Sequence, residues 1–219
     1  MISFRDVHAA HFRGLSFEVE GGSSALIITS SGDEGACLLR LITGIIRPGR
    51  GSIQVAGQHL GELSPGQIYH LRQRIGVVPA NGGMVSNLKL WENITLPLLY
   101  TTGHISPEAE EYAIAWLKQL GYTGNIMAMS AHLSLYEKRV AAFLRAALCQ
   151  PHIMVYDNCF EDMGVAPRKA LAAAMRSFHA AAPGRTSLYL VPSPEVAADV
   201  QADCVIDVNH SSEATAGPL

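Results

Sequence analysis

Apolar and polar positions alternate through Ile2–Val7 (ISFRDV) and Leu15–Glu20 (LSFEVE), the period of two expected of half-buried strands. Ala25–Thr29 (ALIIT) is instead an unbroken apolar run, the form taken by a strand covered on both faces. A Ser/Gly turn follows, then a helical segment through Cys37–Ile42 that Gly44 and Pro48 end. GSIQVAGQHL, residues 51–60, reads as one further strand; Ser64 and Pro65 open a short helix as N-cap and first helical residue, and IGVVP is a core strand. From Asn81 to about Ser130 the pattern is mostly helical. Its clearest part is SPEAEEYAIAWLKQLGY, with a Ser-Pro start, early acids, Gly121 at the end and an apolar face of Ala113, Ile114, Leu117 and Leu120. Leu133–Leu148 is helical, HIMVY a strand, PRKALAAAMRSFHAAA a helix, and TSLYLV and DCVIDV strands with a short helix between them. Strands alternating with helices predict an α/β fold with a mostly parallel sheet, helices on its flanks, an N-terminal antiparallel part and an inserted helical subdomain over about 81–130 that continues into the 133–148 helix. Residues 1–208 read as one domain and 209–219 as a disordered tail.

Composition narrows the class. The chain of 219 residues is 48% hydrophobic and 16% charged, apolar enough to suggest burial against partners. No stretch reaches the roughly 18 to 20 uninterrupted apolar residues that span a bilayer. The start MISFRD resembles neither a signal nor a transit peptide. A net charge of −3 argues against a nucleic-acid partner. Cys37, Cys149, Cys159 and Cys204 are widely spaced and read as reduced thiols of a cytoplasmic protein, and the nine histidines show no metal-ligand spacing. No metal site is expected.

The chemistry concentrates in ALIITSSGDEGACLLRLITG. A strand, a glycine turn and a helix in this order cradle nucleotide phosphates on backbone N–H groups, with a Lys and a hydroxyl at the helix start. Here the Lys is missing, and Asp33 and Glu34 bring negative charge into the turn.

Together with RPGRGSIQVAG, RQRIGVVPANGGMVSNLKLWENITLPLLY and LSLYEKRVAAFLRAALCQPHIMVYDN, that stretch resembles the nucleotide-binding subunit of an ABC transporter, from about Ile2 to Val208. The segment SNLKLWENITLPLLY is similar to the lipid-transporting, MCE-associated (Mla-like) branch. The resemblance implies a P-loop NTPase fold, ATP and Mg²⁺ as ligands, a permease partner and a second ABC subunit, as homo- or heterodimer. Position by position, the residues implied to do the chemistry are replaced. The phosphate loop falls on Thr29–Ala36. Gly32 remains, Gly35 stands for the Lys, and Ala36 for the Mg²⁺-binding hydroxyl. The Q-loop glutamine falls on Ala80 and the signature Leu-Ser-Gly-Gly-Gln on Leu133, Ser134, Leu135, Tyr136 and Glu137. Asp157 of the Walker B strand remains. The general-base position is Asn158, which cannot accept a proton near neutral pH, and the switch histidine falls on Ser193. The D-loop aspartate falls on Gly164, and the adenine-stacking aromatic on His11 or Phe12.

Charge weighs most. A carboxylate about 4 Å from a phosphate oxygen costs roughly 4 kcal/mol at an effective dielectric near 20. The lost Lys contact adds roughly 1.5 to 3 kcal/mol. Together, roughly 5.5 to 7 kcal/mol, these remove most of an ordinary micromolar affinity of about 8 kcal/mol. Two readings stay open at several positions. Asp157 is either a metal-binding remnant or a strand-end carboxylate that caps backbone. Ser134 either touches a nucleotide held by another subunit or caps its helix. Asp33 and Glu34 either bind a cation or simply suit a helix N-terminus. Trp91 and ITLPLLY either fill the subdomain core or line the groove for a permease coupling helix, with Asn87, Leu88, Trp91 and Glu92 as contacts. The expectation is a pseudo-ATPase with no catalytic residue and no resident cofactor. It would be a structural or regulatory subunit on the inner face of the plasma (inner) membrane, at a transporter that handles lipids. The alternatives are the non-catalytic half of a heterodimeric ATPase that lends Ser134 to its partner, and a free-standing scaffold or sensor.

Overall fold

A computed structural model describes residues 1–209; all but the first residue of the expected tail lies outside them. β1 (Ile2–His8) sits between β2 (Leu15–Val19) and β4 (Arg50–Val55), antiparallel to both, and β5 (Gln58–His59) closes this sheet in the order β2-β1-β4-β5. Residues 51–60 thus form a hairpin and not the single strand expected. Ala56 and Gly57 take left-handed backbone (φ 51° and 79°) and turn the chain back within two residues.

The second sheet is all parallel: β3 (Ser24–Ile28), β6 (Ile75–Val78), β7 (Ile153–Asp157), β8 (Thr186–Val191) and β9 (Cys204–Asp207), in the order β6-β7-β8-β3-β9. Its apolar runs have a direct cause. Leu26, Met154 and Tyr156 point into one hydrophobic core, while Ala25, Ile27, Ile153 and Val155 point into another on the opposite face. Side chains alternate between faces, so a sheet covered on both must be apolar at every position.

α1 (Gly32–Ile42) and the antiparallel sheet cover one face. The other receives α5 (Leu135–Ala147) and α6 (Val165–Ala180), with α3 (Leu90–Thr102) and α4 (Pro107–Gln119) beyond; α2 (Pro65–Arg72) leads into β6. Ser64 and Ser106 cap α2 and α4 as the Ser-Pro pairs suggested. The stretch 81–130 is less helical than its pattern implies. Residues 79–89 form a loop, with Gly82 and Gly83 at φ 76° and 53°. On α4 the buried face is Ala113, Trp116, Leu117 and Leu120; Trp116 occupies the position expected of Ile114, which is only half-buried. Trp116 stacks edge-on against Phe143 of α5, which explains the preference for the larger ring.

Candidate functional site

The carboxyl ends of β3, β7 and β8 bring the phosphate-loop, Walker B and switch positions together. Thr29 donates its N–H to Val191 O (2.9 Å), and Asn158 donates its N–H to Leu190 O (2.8 Å). This is where open parallel sheets hold ligands.

The loop itself is closed by its own side chains. Ser31 is the N-cap of α1, and its Oγ accepts the Glu34 N–H at 3.3 Å. Glu34 turns back, and its Oε2 accepts the Ser30 N–H at 2.7 Å. A carboxylate of the chain thereby occupies a backbone donor of the kind that holds phosphate elsewhere. The helix dipole favours this arrangement by about 0.3 to 1 kcal/mol. Ser30 Oγ also donates to Asn209 Oδ1. Asp33 faces solvent beside exposed Gly32, Ala36 is half-buried, and no Lys or Arg occurs in residues 29–36. Gly35 is buried in the first helical turn. A Cβ there would lie 3.3 Å from Asp157 Oδ1 and 3.7 Å from Thr29 Oγ1.

Asp157 caps nothing: its carboxylate accepts no hydrogen bond from any described residue, contrary to the backbone-capping reading. Burial pushes its pKa up. Asn158 is held in left-handed backbone (φ 44°). Its Nδ2 donates to Glu161, while its Oδ1 is buried without a partner among the described residues.

Ala80 contributes only backbone. Its carbonyl accepts Arg139 Nε at 2.7 Å, and Arg139 also donates to the Glu161 carbonyl. Arg139 is 3% exposed, and burial lowers its pKa. It ties the loop after β6 to the loop after β7. Gly82 presses against α5 so closely that a Cβ would come within 2.7 Å of the Lys138 backbone. Arg145 fastens the same loop through Gly83 O (2.7 Å) and Gly82 O (3.2 Å).

Ser134 is the N-cap of α5, with its hydroxyl donating to Glu137 Oε2 at 2.7 Å and accepting the Glu137 N–H at 3.3 Å. Tyr136 turns inward and donates to Leu120 O at 2.8 Å, so the residue at a signature glycine position ties α5 to the end of α4. Ser193 lies between Pro192 and Pro194 in extended backbone and makes no side-chain cap bond to the short turn after it. Phe12 is core, whereas His11 is exposed.

Along the loop into α3, Asn87 is exposed, while Leu88, Trp91 and Glu92 are half-buried. Glu92 Oε2 accepts the Lys89 N–H at 2.8 Å, and Trp91 packs on the helical core. Asn93, which the sequence pattern marked only as part of a sequon, is fully buried. Its amide bonds Val85 N–H and O, Leu88 O and Lys89 O, fixing the loop's path. Farther along, α3 exposes Leu96, Leu99 and Tyr100, the last 81% exposed. A cleft of about 550 Å³ runs between α3, the edge strand β6 and α5, with Ile75, Val77, Pro97, Leu98 and Arg145 on its walls. Among the described residues no cluster of His, Cys, Asp and Glu could hold a metal, and no helix is long and apolar enough to cross a membrane.

A parallel sheet with a glycine-containing turn leading into a helix at its carboxyl edge defines a P-loop α/β cassette. Its sequence matches the ABC transporter family over residues 12–161, and the chain belongs to that family. It is 29% identical over 231 residues to the mitochondrial iron-sulfur clusters transporter ABCB7 of Rattus norvegicus, covering 99% of this chain and 29% of that protein. It is 28% identical over 159 residues to the intermembrane phospholipid transport system ATP-binding protein MlaF of Escherichia coli (strain K12), covering 73% of this chain and 59% of MlaF. The chain therefore spans only part of the length of these relatives. Among solved structures, the dimeric bacterial ABC transporter cassette MJ0796 superposes with a TM-score of 0.82 at 19% identity, covering 94% of each chain. A post-hydrolysis form of that cassette, bound to ADP and Pi, gives a TM-score of 0.78 at 17% identity, again over 94% of each chain.

Proposed function

We propose that this chain is a pseudo-ATPase, an ABC cassette that serves as a structural or regulatory subunit of a membrane transporter and does not hydrolyse ATP. The observation that carries the reading is the 2.7 Å bond from the Ser30 N–H to Glu34 Oε2. A phosphate entering here must displace a charge-assisted hydrogen bond of roughly 1.5 to 3 kcal/mol and then meet the displaced carboxylate. No Lys at Gly35 and no hydroxyl at Ala36 compensates. The residues present do not suit Mg-ATP, and no catalytic step is assigned to Gly35, Ala36, Ala80, Asn158 or Ser193. Gly32 and Asp157 are remnants. The Ser134 hydroxyl is engaged by Glu137, which weighs against its serving a nucleotide on a second subunit.

Residues 1–208 act as one cassette, with 81–130 and α5 as the partner-facing part. A permease coupling helix meets Asn87, Leu88, Trp91 and Glu92, and a second ABC subunit meets the loop face around Ser134. The similarity to MlaF favours lipid as the cargo of the assembly, with this chain peripheral on the inner face of the membrane. Isothermal titration of the purified chain with Mg-ATP tests the central claim. No saturable heat in the micromolar range is expected. Micromolar binding with turnover that Asp157→Asn abolishes would overturn it.

A further inference from the structure

A cleft of about 290 Å³ opens at the opposite end of the parallel sheet from the phosphate loop. Ser24 at the start of β3, Tyr189 of β8, Arg176 and His179 of α6, and Gln201 and Asp203 ahead of β9 line it. Tyr189 is 2% exposed, and its ring stacks on Tyr156 at 4.7 Å between centroids. Its hydroxyl makes no hydrogen bond to any described residue. Arg176 and Asp203, on the cleft walls, are near enough to act on it electrostatically.

The other polar groups are only partly used. Asp203 Oδ2 accepts Ser24 N–H (2.7 Å) and Ser24 Oγ–H (2.8 Å), which keeps this carboxyl's pKa low and the group ionised at neutral pH; its Oδ1 has no described partner. Arg176 Nη1 donates to Asp199 O (2.6 Å), leaving the other guanidinium N–H groups free to donate. His179 Nδ1 pairs with Ser187 Oγ (2.9 Å), so Nε2 is the nitrogen that remains. One cleft thus presents donors, Tyr189 and Arg176, beside a carboxylate acceptor, Asp203.

We propose that this cleft binds a small zwitterion of amino-acid size, its carboxylate on the Tyr189 hydroxyl and Arg176 and its ammonium on Asp203. A simple carboxylate would meet Asp203 as a like charge, and a simple amine would leave the Tyr189 and Arg176 donors unmatched. The volume falls just below the usual range of about 300 to 1,000 Å³ for ligand pockets, which suits a small ligand better than a nucleotide-sized cofactor.

The test titrates the full chain with the free amino acids, and with propionate and ethylamine as single-charge controls, by thermal shift and calorimetry. At least one amino acid is expected to bind saturably, with neither control doing so at equal concentration. Tyr189→Phe should weaken that binding by about tenfold, the equivalent of one hydrogen bond to a charged group. It should leave the unliganded melting temperature nearly unchanged, because the hydroxyl has no described hydrogen bond to lose. Asp203→Asn keeps an acceptor for Ser24 and should also weaken binding. Binding of propionate as tight as any amino acid, tighter binding in Asp203→Asn, unchanged affinity in Tyr189→Phe, or no saturable response to any probe would each overturn the proposal.

Discussion

Restoring the missing cation by Gly35→Lys should stabilise the protein before any nucleotide is considered. Gly35 sits in helical backbone in the first turn of α1, where replacing glycine by lysine gains roughly 0.7 kcal/mol in helix propensity. The new Cβ would start 3.3 Å from Asp157 Oδ1, so the carboxylate must shift by a few tenths of an ångström, and the lysine then lies beside a half-buried carboxylate that has no described partner. Such a pair at about 4 Å is worth up to about 4 kcal/mol by Coulomb's law at a dielectric of 20, but measured pairs in partial solvent retain about 1 kcal/mol. The sum, about 1.5 to 2 kcal/mol, corresponds to roughly 3 to 8 °C in melting temperature for a domain of this size. The assay is urea and thermal unfolding at pH 7 of wild type, Gly35→Lys, Asp157→Asn and the double variant. Burial raises the Asp157 pKa above its ordinary 3.8, so the folded state holds that proton more tightly than the unfolded state. The stability this contributes is present below the unfolded value and is lost as pH rises through the folded one. Asp157→Asn should therefore be more stable than wild type at pH 7 and converge with it in acid. A coupling energy indistinguishable from zero in the four-protein cycle would refute the placement of Asp157 against Gly35.

Arg139→Met should cost about 2 to 4 kcal/mol in urea unfolding, because the Ala80 and Glu161 carbonyls both lose a buried charged donor. Arg139→Lys should recover only part of this, since one ammonium cannot reproduce the guanidinium fork. Asn93→Ala, which strands the Val85 N–H and takes one of the donors from the Val85, Leu88 and Lys89 carbonyls, should cost about 1 to 3 kcal/mol and speed amide exchange across residues 85–89. His179 is held neutral by burial, its pKa below the ordinary 6.5, so the unfolded chain takes up the proton first. Stability should fall as pH drops through about 6.5 towards the folded value, and His179→Gln should remove that slope in pH-dependent thermal melts.

The strands of the parallel sheet and the capped starts of α2, α4 and α5 were legible because apolar runs and Ser-x-x-Glu or Ser-Pro pairs are local signals. So was the loss of Lys and hydroxyl at Gly35 and Ala36, which needs only register. The folding back of Glu34 onto Ser30 was not. An acid at the third helical position suits the dipole whether it points outward or inward, and only the loop's path decides. The same limit hid Arg139, Arg145 and Asn93. Periodicity says which side chains are buried but not which carbonyls they meet. Trp116 in place of Ile114 reflects the width of a helical face: both lie near its edge, and the ring of Phe143 selects one.

Trp91 and Trp116 are the chain's two tryptophans, and both belong to the helical core. The opposite core, around α1 and the antiparallel sheet, contains none. Intrinsic fluorescence therefore watches only one side of the molecule, while far-ultraviolet dichroism watches both. Non-superimposable transitions from the two signals would reveal that the halves come apart at different denaturant concentrations, with no label attached.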